Sequence, residues 1–389
     1  MIYLDNAAST QIHEDVLDSM LPYLKEQYGN PSSIHRYGRV AHKAIDKARK
    51  QIASLINAEP SEILITSGGT ESNNTALRGI VMKNPNGQII TSSIEHDAIL
   101  EPCKKLVQKG FDVDYLPVDQ FGTVNLVELK NCISDKTSLV SIMFGNNEVG
   151  TIQPISEITK ICNEQKIPFH TDAIQAVGKI PIDVKALGID LMSISSHKLY
   201  GPKGIGALYI KNGIDIDPVI LGGGQEHGLR SGTENVANIV GFGKACEIAK
   251  NNIQENLSQV KKLRDVLIEN VLNEIPHVTL NGHPKSRLPN NTHFTFLGVN
   301  GEDLIVKLDE HGIAASTGSA CSVNTQKASH VLQAMGFSHE QITGSLRLTV
   351  GIFNNQKEIE QTVDVLKKVV KELRSVSPFK EKYSFVSKN

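Results

Sequence analysis

Lys198 is the residue of this sequence best suited to covalent chemistry. It follows an apolar stretch, residues 189–195, that predicts a buried strand, and it lies in the turn SSHKLYGPKG. Open α/β sheets bind ligands at their strand ends, and a lysine beside apolar walls has a depressed pKa and forms Schiff bases. An isolated lysine is more often an exposed loop residue, so the role of Lys198 depends on its neighbours.

Asp172 is the neighbour that changes the interpretation of Lys198. It lies at the end of another predicted strand, residues 167–173. Pyridoxal 5'-phosphate needs a lysine for its imine and a carboxylate that keeps its ring nitrogen protonated. Asp172 and Lys198, at successive strand ends, would face one crevice and supply both groups. The alternative for an isolated aspartate is a turn or a helix cap.

Two further strand ends carry polar residues. In TSGGTESNN, Gly68 and Gly69 let the backbone approach an anion, and Thr70 with the first helical N–H groups would hold a phosphate. In SSIEHDAIL, His96 would stack on a ring and relay protons. Each signal is weak alone, because Gly and Thr also serve as caps at such junctions and an isolated histidine is usually an ordinary loop residue.

Polar residues in the remaining motifs suit substrate recognition. Asn146 and Asn147 in FGNNEVG would bind a ring hydroxyl or a carboxylate, unless they only form an Asn-rich turn. Arg347 lies in an apolar predicted strand, where its fork of donors suits an α-carboxylate, and an internal salt bridge is the alternative. The Gly-rich segment 222–236 is either a phosphate-reaching loop at a subunit interface or a surface turn.

The cysteines are odd in number and include no CxxC pair, which disfavours disulfides and a structural zinc site and indicates a reducing cytosol. Cys321 lies among small and hydroxylic residues in ASTGSACSVNT, a composition that predicts an accessible loop suited to a reactive thiolate. The other four fall within or near predicted helices and are expected to be buried small hydrophobes: Cys103, Cys132, Cys162 and Cys246.

Alternating strands and helices must position these residues. Continuous apolar runs separated by helical patterns predict a mostly parallel sheet covered by helices on both faces; the strands are 63–67, 88–92, 138–144, 167–173, 189–195 and 204–210. Beyond a long predicted helix, 251–275, an α+β pattern indicates a smaller domain that ends in an amphipathic helix. We therefore predict a large domain, 14–255, and a small domain formed by 1–13 and 256–389.

Composition narrows the possible partners. The 389 residues are 40% hydrophobic and 21% charged, and the formal net charge is −2. Nucleic acid is not an expected partner, because phosphate binding requires a basic excess. No apolar run reaches the roughly 18 residues of a membrane span, and the N-terminus lacks the features of a secretory signal. The expected location is the cytoplasm.

The motifs, taken in order, resemble those of the cysteine desulfurases of the NifS/IscS group, in the class V aminotransferase branch of fold type I pyridoxal-phosphate enzymes. The resemblance runs from YLDNAAST to about residue 377 and includes YGNPSSIHRYG, TSGGTESNN, EHDAI, NNEVG, TDAIQAVGK, SSHKLYGPKGIGALY, RSGTEN, STGSACS and SLRLTVG. It implies the fold type I architecture, in which a large domain with a mostly parallel central sheet is joined to a smaller α+β C-terminal domain.

The resemblance also implies a role for each site residue. Lys198 would hold the cofactor, Asp172 would pair with its ring nitrogen, Gln175 would approach its ring oxygen and His96 would stack on its ring. The implied phosphate ligands from the same subunit are Gly69, Thr70, Ser195 and His197. The resemblance also implies a homodimer, in which the neighbouring subunit supplies one more phosphate ligand, Thr233.

For the reaction, the resemblance implies removal of sulfur from L-cysteine to give L-alanine. Asn147 and Arg347 would bind the substrate carboxylate, and Cys321 would accept the sulfur as a persulfide. That sulfur would pass to an acceptor such as an iron–sulfur scaffold protein, or to tRNA thiolation, and no metal is implied. The alternatives are a selenocysteine lyase, another class V aminotransferase, or a non-catalytic assembly partner, which the presence of Lys198 and Asp172 disfavours.

Overall fold

The computed structural model of the chain describes residues 1–318 and 328–383. Its strands are β1 Ile2–Tyr3, β2 Ile63–Thr66, β3 Gln88–Ser92, β4 Asp112–Leu116, β5 Thr137–Ser141, β6 Phe169–Asp172, β7 Leu191–Ser195, β8 Gly206–Ile210, β9 Val278–Leu280, β10 Asn291–Phe296, β11 Ile313–Ala314 and β12 Ser345–Thr349. Its α-helices are α1 Glu14–Lys25, α2 Arg36–Leu55, α3 Gly69–Val81, α4 Asp97–Val107, α5 Leu126–Cys132, α6 Ile155–Glu164, α7 Val184–Leu187, α8 Val236–Glu274, α9 Gly301–Glu310, α10 His330–Ala334, α11 His339–Thr343 and α12 Gln356–Val376.

A seven-stranded sheet forms the centre of the larger part of the chain, in the order β2-β8-β7-β6-β5-β3-β4. Its strands β3 to β7 pair in parallel, whereas β8 runs antiparallel to both β2 and β7. The predicted mostly parallel sheet is therefore confirmed. The parallel strands end at one edge of the sheet, where the polar residues that follow them meet.

Edge strand β4 lacks the apolar run that predicts the other strands of this sheet. Its sequence, DVDYL, alternates charged with apolar residues; Asp112 is exposed and Leu116 is buried. An edge strand tolerates charge, and charge also prevents further strands from pairing with it. The sequence of β4 therefore contains no continuous apolar run from which the strand could be predicted.

Helix α8 begins at Val236, earlier than the predicted start at residue 251. Its first turns contain glycines, which weaken a helical pattern in sequence. In the structure, Gly243 lets α8 approach α2 closely, because a Cβ there would lie 2.6 Å from Cα of Ala48. The glycine thus serves helix packing rather than helix termination.

The second part of the chain is built on an antiparallel sheet, β12-β10-β9, and on the parallel pair of β1 with β11. Its apolar core contains residues from both ends of the chain, among them Ile2 and Val370, and is distinct from the apolar clusters around the central sheet. A further apolar cluster contains Ile94, Met143 and Val331.

The domain boundary at 255/256 stays a prediction, because α8 runs through it without interruption. No helix among the described residues has the length and apolarity to span a membrane.

Candidate active site

Lys198 ends a short 3-10 turn, Ser196–Lys198, that follows β7 directly. Its half-buried side chain points at the N-terminal segment, and Nζ donates to the carbonyl oxygens of Ala7 and Ala8, each at 2.6 Å. The N-terminal segment therefore forms one wall of the site. Its sequence, LDNAAST, belongs to the resemblance, but nothing in its residue types indicates these backbone contacts.

Asp172 is the last residue of β6, the strand next to β7, and is buried. Its Oδ2 accepts from Asn73 Nδ2 at 2.6 Å, and Oδ1 accepts from the backbone N of Ile174 at 3.0 Å. Burial raises the pKa of Asp172, and the charges of His96 and Lys198 together with these hydrogen bonds oppose that rise. The carboxylate is thus held by neutral donors at the same sheet edge as the predicted lysine and histidine.

His96 caps the N-terminus of α4 after β3. Its Nδ1 accepts from the backbone N of Ala98 at 3.0 Å, so the neutral ring carries its proton on Nε2. Next to it, Glu95 is fully buried, and burial raises its pKa to about 8. The imidazole orientation is therefore fixed by the start of a helix.

A concave cradle lies between β2 and α3. Gly68 has a φ of +151°, and a Cβ at Gly69 would come within 2.0 Å of Ile174 Cδ1 and 3.7 Å of Ser195 Cβ. Only glycine fits there without displacing a neighbour. Thr70 follows in the first turn of α3, where unpaired N–H groups favour an anion. The structure thus brings three of the predicted phosphate ligands, Gly69, Thr70 and Ser195, to one helix N-terminus.

His197 lies beside the same region, between Ser195 and Lys198. Its Nδ1 is 3.2 Å from Ser9 Oγ. Burial, with the charges of Lys198 and Lys203, lowers the pKa of His197 to about 4, so its ring is neutral at pH 7. It can donate a hydrogen bond to an anion without adding a charge.

Arg347 is buried in β12 and makes an ion pair. Nη2 lies 2.9 Å from Asp5 Oδ1, and Nη1 donates to the carbonyl oxygens of Asn147 at 2.8 Å and Gly318 at 3.3 Å. The internal salt bridge considered in the sequence analysis is therefore present. Nε of Arg347 is buried and has no hydrogen-bond partner in the described part of the chain. Binding of a carboxylate by Arg347 stays a prediction.

Asn146 and Asn147 have different surroundings. Asn146 is fully buried; its Oδ1 accepts from the backbone N of Glu148 and Val149, and Nδ2 donates to the carbonyl of Ile94 at 3.0 Å. This is the turn role considered for the motif. The side chain of Asn147 is half-buried, and no side-chain hydrogen bond occupies it in the part of the chain that the structure covers.

Gln175 connects Lys198 to a residue that the sequence analysis did not single out. Its Nε2 donates to the carbonyl of Ala7 at 2.9 Å, the oxygen that also accepts from Lys198. Its Oε1 accepts from Nζ of Lys179 at 3.0 Å. Lys179 lies in the motif TDAIQAVGK, but residues 175–179 form a turn and not a helix, so no periodicity in the sequence marks its contact with Gln175.

Thr233 is not brought into this arrangement. Thr233 is exposed, in a loop fixed by the ion pair of Arg230 with Glu71 at 2.9 Å, and no hydrogen bond joins it to the other site residues within 1–318 and 328–383. Cys321 lies outside the described residues. In that described part, no cluster of three or more His, Cys, Asp or Glu could hold a metal ion.

Known proteins with similar sequences identify the family to which this chain belongs. The model of the class-V aminotransferase family matches residues 2–362. A protein named cysteine desulfurase IscS, from Methanosarcina thermophila, is 51% identical over 383 residues, which cover 98% of this chain and 95% of that protein. The chain belongs to the cysteine desulfurases of the class-V aminotransferase family. The resemblance found in the sequence motifs is therefore confirmed.

Solved structures confirm the fold of this cysteine desulfurase. One described as a NifS-like protein superposes with a TM-score of 0.90 at 38% identity, covering 96% of this chain and all of the other. A second, described as SspA in complex with cysteine, has a TM-score of 0.81 at 37% identity and covers 91% of this chain and all of that one. The predicted fold type I architecture and the assignment as an enzyme both hold.

Proposed function

We propose that this cysteine desulfurase holds pyridoxal 5'-phosphate on Lys198 and uses it to take sulfur from L-cysteine. The observation that carries the proposal is the pairing of Lys198 with a buried carboxylate, Asp172, at the ends of the neighbouring parallel strands β6 and β7. That pair supplies the two protein groups that the cofactor requires. The relative described as a complex with cysteine supports the choice of substrate.

The residues present fit the cofactor. The cradle at Gly69, which a Cβ would fill, and the N-terminus of α3 suit a phosphate. The donors that hydrogen-bond to Asp172 within the described residues, Asn73 and the backbone of Ile174, are neutral, so a protonated ring nitrogen would give this buried carboxylate a charged hydrogen-bond donor. The remaining cofactor contacts that we propose are Thr70, Gln175, Ser195, His197 and, from a second subunit, Thr233, with His96 stacked on the ring.

When bound, pyridoxal 5'-phosphate withdraws electrons from the Cα of the amino acid attached to it. Asp172 keeps the ring nitrogen protonated by accepting its hydrogen bond. Nζ of Lys198 removes the Cα proton, and the carbonyls of Ala7 and Ala8 accept from the ammonium that results. Arg347 and Asn147 bind the substrate carboxylate and hold Cα within reach of Lys198.

Cys321 completes the reaction in this proposal. Its thiolate attacks the substrate sulfur; the S–S bond forms as the C–S bond breaks, and the carbon keeps the electron pair and takes a proton, giving alanine and a Cys321 persulfide. The flanking sequence supports this role, since Gly318 contacts Arg347 and Ser329 Oγ donates to Glu148 Oε2 at 2.5 Å. Burial raises the pKa of Cys103 and Cys162 to about 12, which leaves these thiols unreactive.

The wider assignments are also part of this proposal. A homodimer would let exposed Thr233 reach the neighbouring site, and the persulfide would serve an acceptor such as an iron–sulfur scaffold protein or tRNA thiolation. The free thiols of Cys103, Cys132, Cys162 and Cys246 are in keeping with a reducing, cytoplasmic setting.

A single set of measurements tests the core of the proposal. The purified protein, reconstituted with pyridoxal 5'-phosphate, should absorb at about 400–430 nm, and Lys198→Ala should lose that absorption. With L-cysteine and a thiol reductant, the parent should release sulfide and alanine in equal amounts. Absorption without sulfide would contradict the reaction, and turnover of selenocysteine alone would favour a selenocysteine lyase. Absence of any bound cofactor after reconstitution would overturn the proposal.

A further inference from the structure

A second lysine lies beside the proposed cofactor site without a part in the chemistry above. Lys179 is half-buried in a turn after β6, where its backbone N donates to the carbonyl of Ala176 at 3.0 Å. This non-helical turn, in which Gly178 has a φ of +77°, folds the chain back so that the side chains of Gln175 and Lys179 meet. As a result, Nζ of Lys179 lies 3.0 Å from Oε1 of Gln175.

The surroundings of Lys179 disfavour a positive charge. Burial, with the charges of Lys198 and Arg347, lowers the pKa of Lys179 to about 7. Tyr200, which lines a small cavity with Lys179, is neutral, because burial raises its pKa to about 12. The hydrogen-bond partner of the ammonium is an amide and not a carboxylate. Such a lysine costs stability, and groups of this kind concentrate at functional sites.

Two contacts, with Lys179 and with Ala7, fix the orientation of the Gln175 amide. When Lys179 is protonated it only donates, so the atom that faces it is the amide oxygen. The amide nitrogen then faces the opposite way, towards the carbonyl of Ala7 at 2.9 Å. That same carbonyl accepts from Nζ of Lys198 at 2.6 Å, so the amide donor is presented on the side of the reactive lysine.

We propose that Lys179 is a positioning residue that holds Oε1 of Gln175 and thereby keeps the amide N–H that is not donated to Ala7 directed at the ring oxygen of the cofactor. The inference rests on the proposed function, in which Gln175 approaches that oxygen. A donor at the ring oxygen stabilises its negative charge most when the Lys198 imine is unprotonated. Loss of Lys179 leaves the Ala7 carbonyl as the one remaining contact of the amide in the described part of the chain, so the amide rotates more readily and presents its oxygen there part of the time, which favours the protonated imine.

The test is a pH titration of the imine absorbance of the reconstituted protein. Lys179→Met keeps the unbranched stem and removes the donor; we expect it to raise the midpoint by about 0.5–1 pH unit. Lys179→Arg retains a donor and should keep the parent midpoint. Lys203→Met is the charge control: it removes an exposed positive charge that acts on His197, and it should leave the midpoint unchanged.

A Gln175→Met background decides whether Lys179 acts through the amide. Gln175→Met should itself raise the midpoint, and adding Lys179→Met should cause no further change. An unchanged midpoint in Lys179→Met, or the same shift with and without Gln175, would overturn the inference. If Lys179→Met does not fold, the midpoints of Gln175→Met and Lys179→Arg carry the test. A parent protein that never forms the imine would contradict the proposed function instead.

Discussion

Nη2 of Arg347 lies 2.9 Å from Oδ1 of Asp5, so a buried arginine of β12 is held by the N-terminal segment. The carbonyls of Asn147 and Gly318 hold Nη1. These contacts fix the plane of the guanidinium in the absence of substrate, which reduces the entropy lost when a carboxylate binds. The ion pair with Asp5 therefore holds Arg347 in the orientation that the proposed contact with the substrate carboxylate requires.

Asp5 variants test whether this pair prepares the site for a carboxylate. Asp5→Asn keeps an oxygen that accepts from Arg347, whereas Asp5→Ala removes it and lets the guanidinium rotate. We expect Asp5→Ala to raise KM for L-cysteine about tenfold, with little change for Asp5→Asn. Cofactor absorbance should be normal in both. Equal KM values for the parent and Asp5→Ala would show that Asp5 has no part in positioning Arg347.

Cys321→Ala separates sulfur transfer from cofactor chemistry. The variant should keep the imine absorbance and still bind L-cysteine, but sulfide release should fall by at least about 100-fold, because no thiolate attacks the substrate sulfur. Cys132→Ala is the matched control: Cys132 is half-buried, and burial raises the pKa of its thiol. Sulfide release by Cys321→Ala at the parent rate would assign the nucleophile elsewhere.

The residues at the strand ends could be predicted from sequence because apolar runs mark buried parallel strands. Asp172 and Ser195 lie at the last positions of β6 and β7, and Lys198 lies in the turn after β7. Local pattern was enough to place these residues at strand ends, whereas the phosphate contact of Ser195 was implied only by the resemblance. The turn from β2 into α3 could be predicted for the same reason, although the helix begins at Gly69, one residue before the predicted start at Thr70.

Contacts between distant segments could not be predicted in this way. Asp5 reaches Arg347, and the carbonyl of Ala7 receives donors from Lys198 and Gln175, across separations that no periodicity encodes. Backbone carbonyls carry no sequence signal at all. Strand β4 and the start of α8 were not predicted for a different reason. Exposed charged residues weaken the strand pattern of β4, and the glycines that allow close packing weaken the helical pattern at the start of α8.

Gly69→Ala tests the phosphate cradle. The added Cβ would lie 2.0 Å from Cδ1 of Ile174, so one of the two segments must move. We expect Kd for pyridoxal 5'-phosphate to rise about tenfold or more, because the backbone N–H groups leave their positions. Ile174→Val removes Cδ1 and should restore part of the affinity in the double variant. A parent-like Kd for Gly69→Ala would exclude this turn as the phosphate site.

His170 makes the stability of the central sheet depend on pH. Its Nδ1 lies 2.8 Å from Ser141 Oγ and its Nε2 lies 3.0 Å from Ser193 Oγ, so it joins β5, β6 and β7. Burial lowers the pKa of His170 to about 3. Between these two pKa values, the histidine is protonated in the unfolded chain, where its pKa is about 6.5, and stays neutral in the folded protein.

The sign of this effect follows from the depressed pKa. The contribution of His170 is complete above the unfolded pKa and is lost as the pH falls towards the folded value, so this contribution to the unfolding free energy should drop by about 2 kcal/mol between pH 7 and pH 5. Urea unfolding of the parent and of His170→Gln at both pH values measures it. His170→Gln should be less stable at pH 7 but lose about 2 kcal/mol less on acidification, while exposed His339→Gln should behave as the parent. An identical pH dependence in His170→Gln and the parent would mean that another group causes the loss.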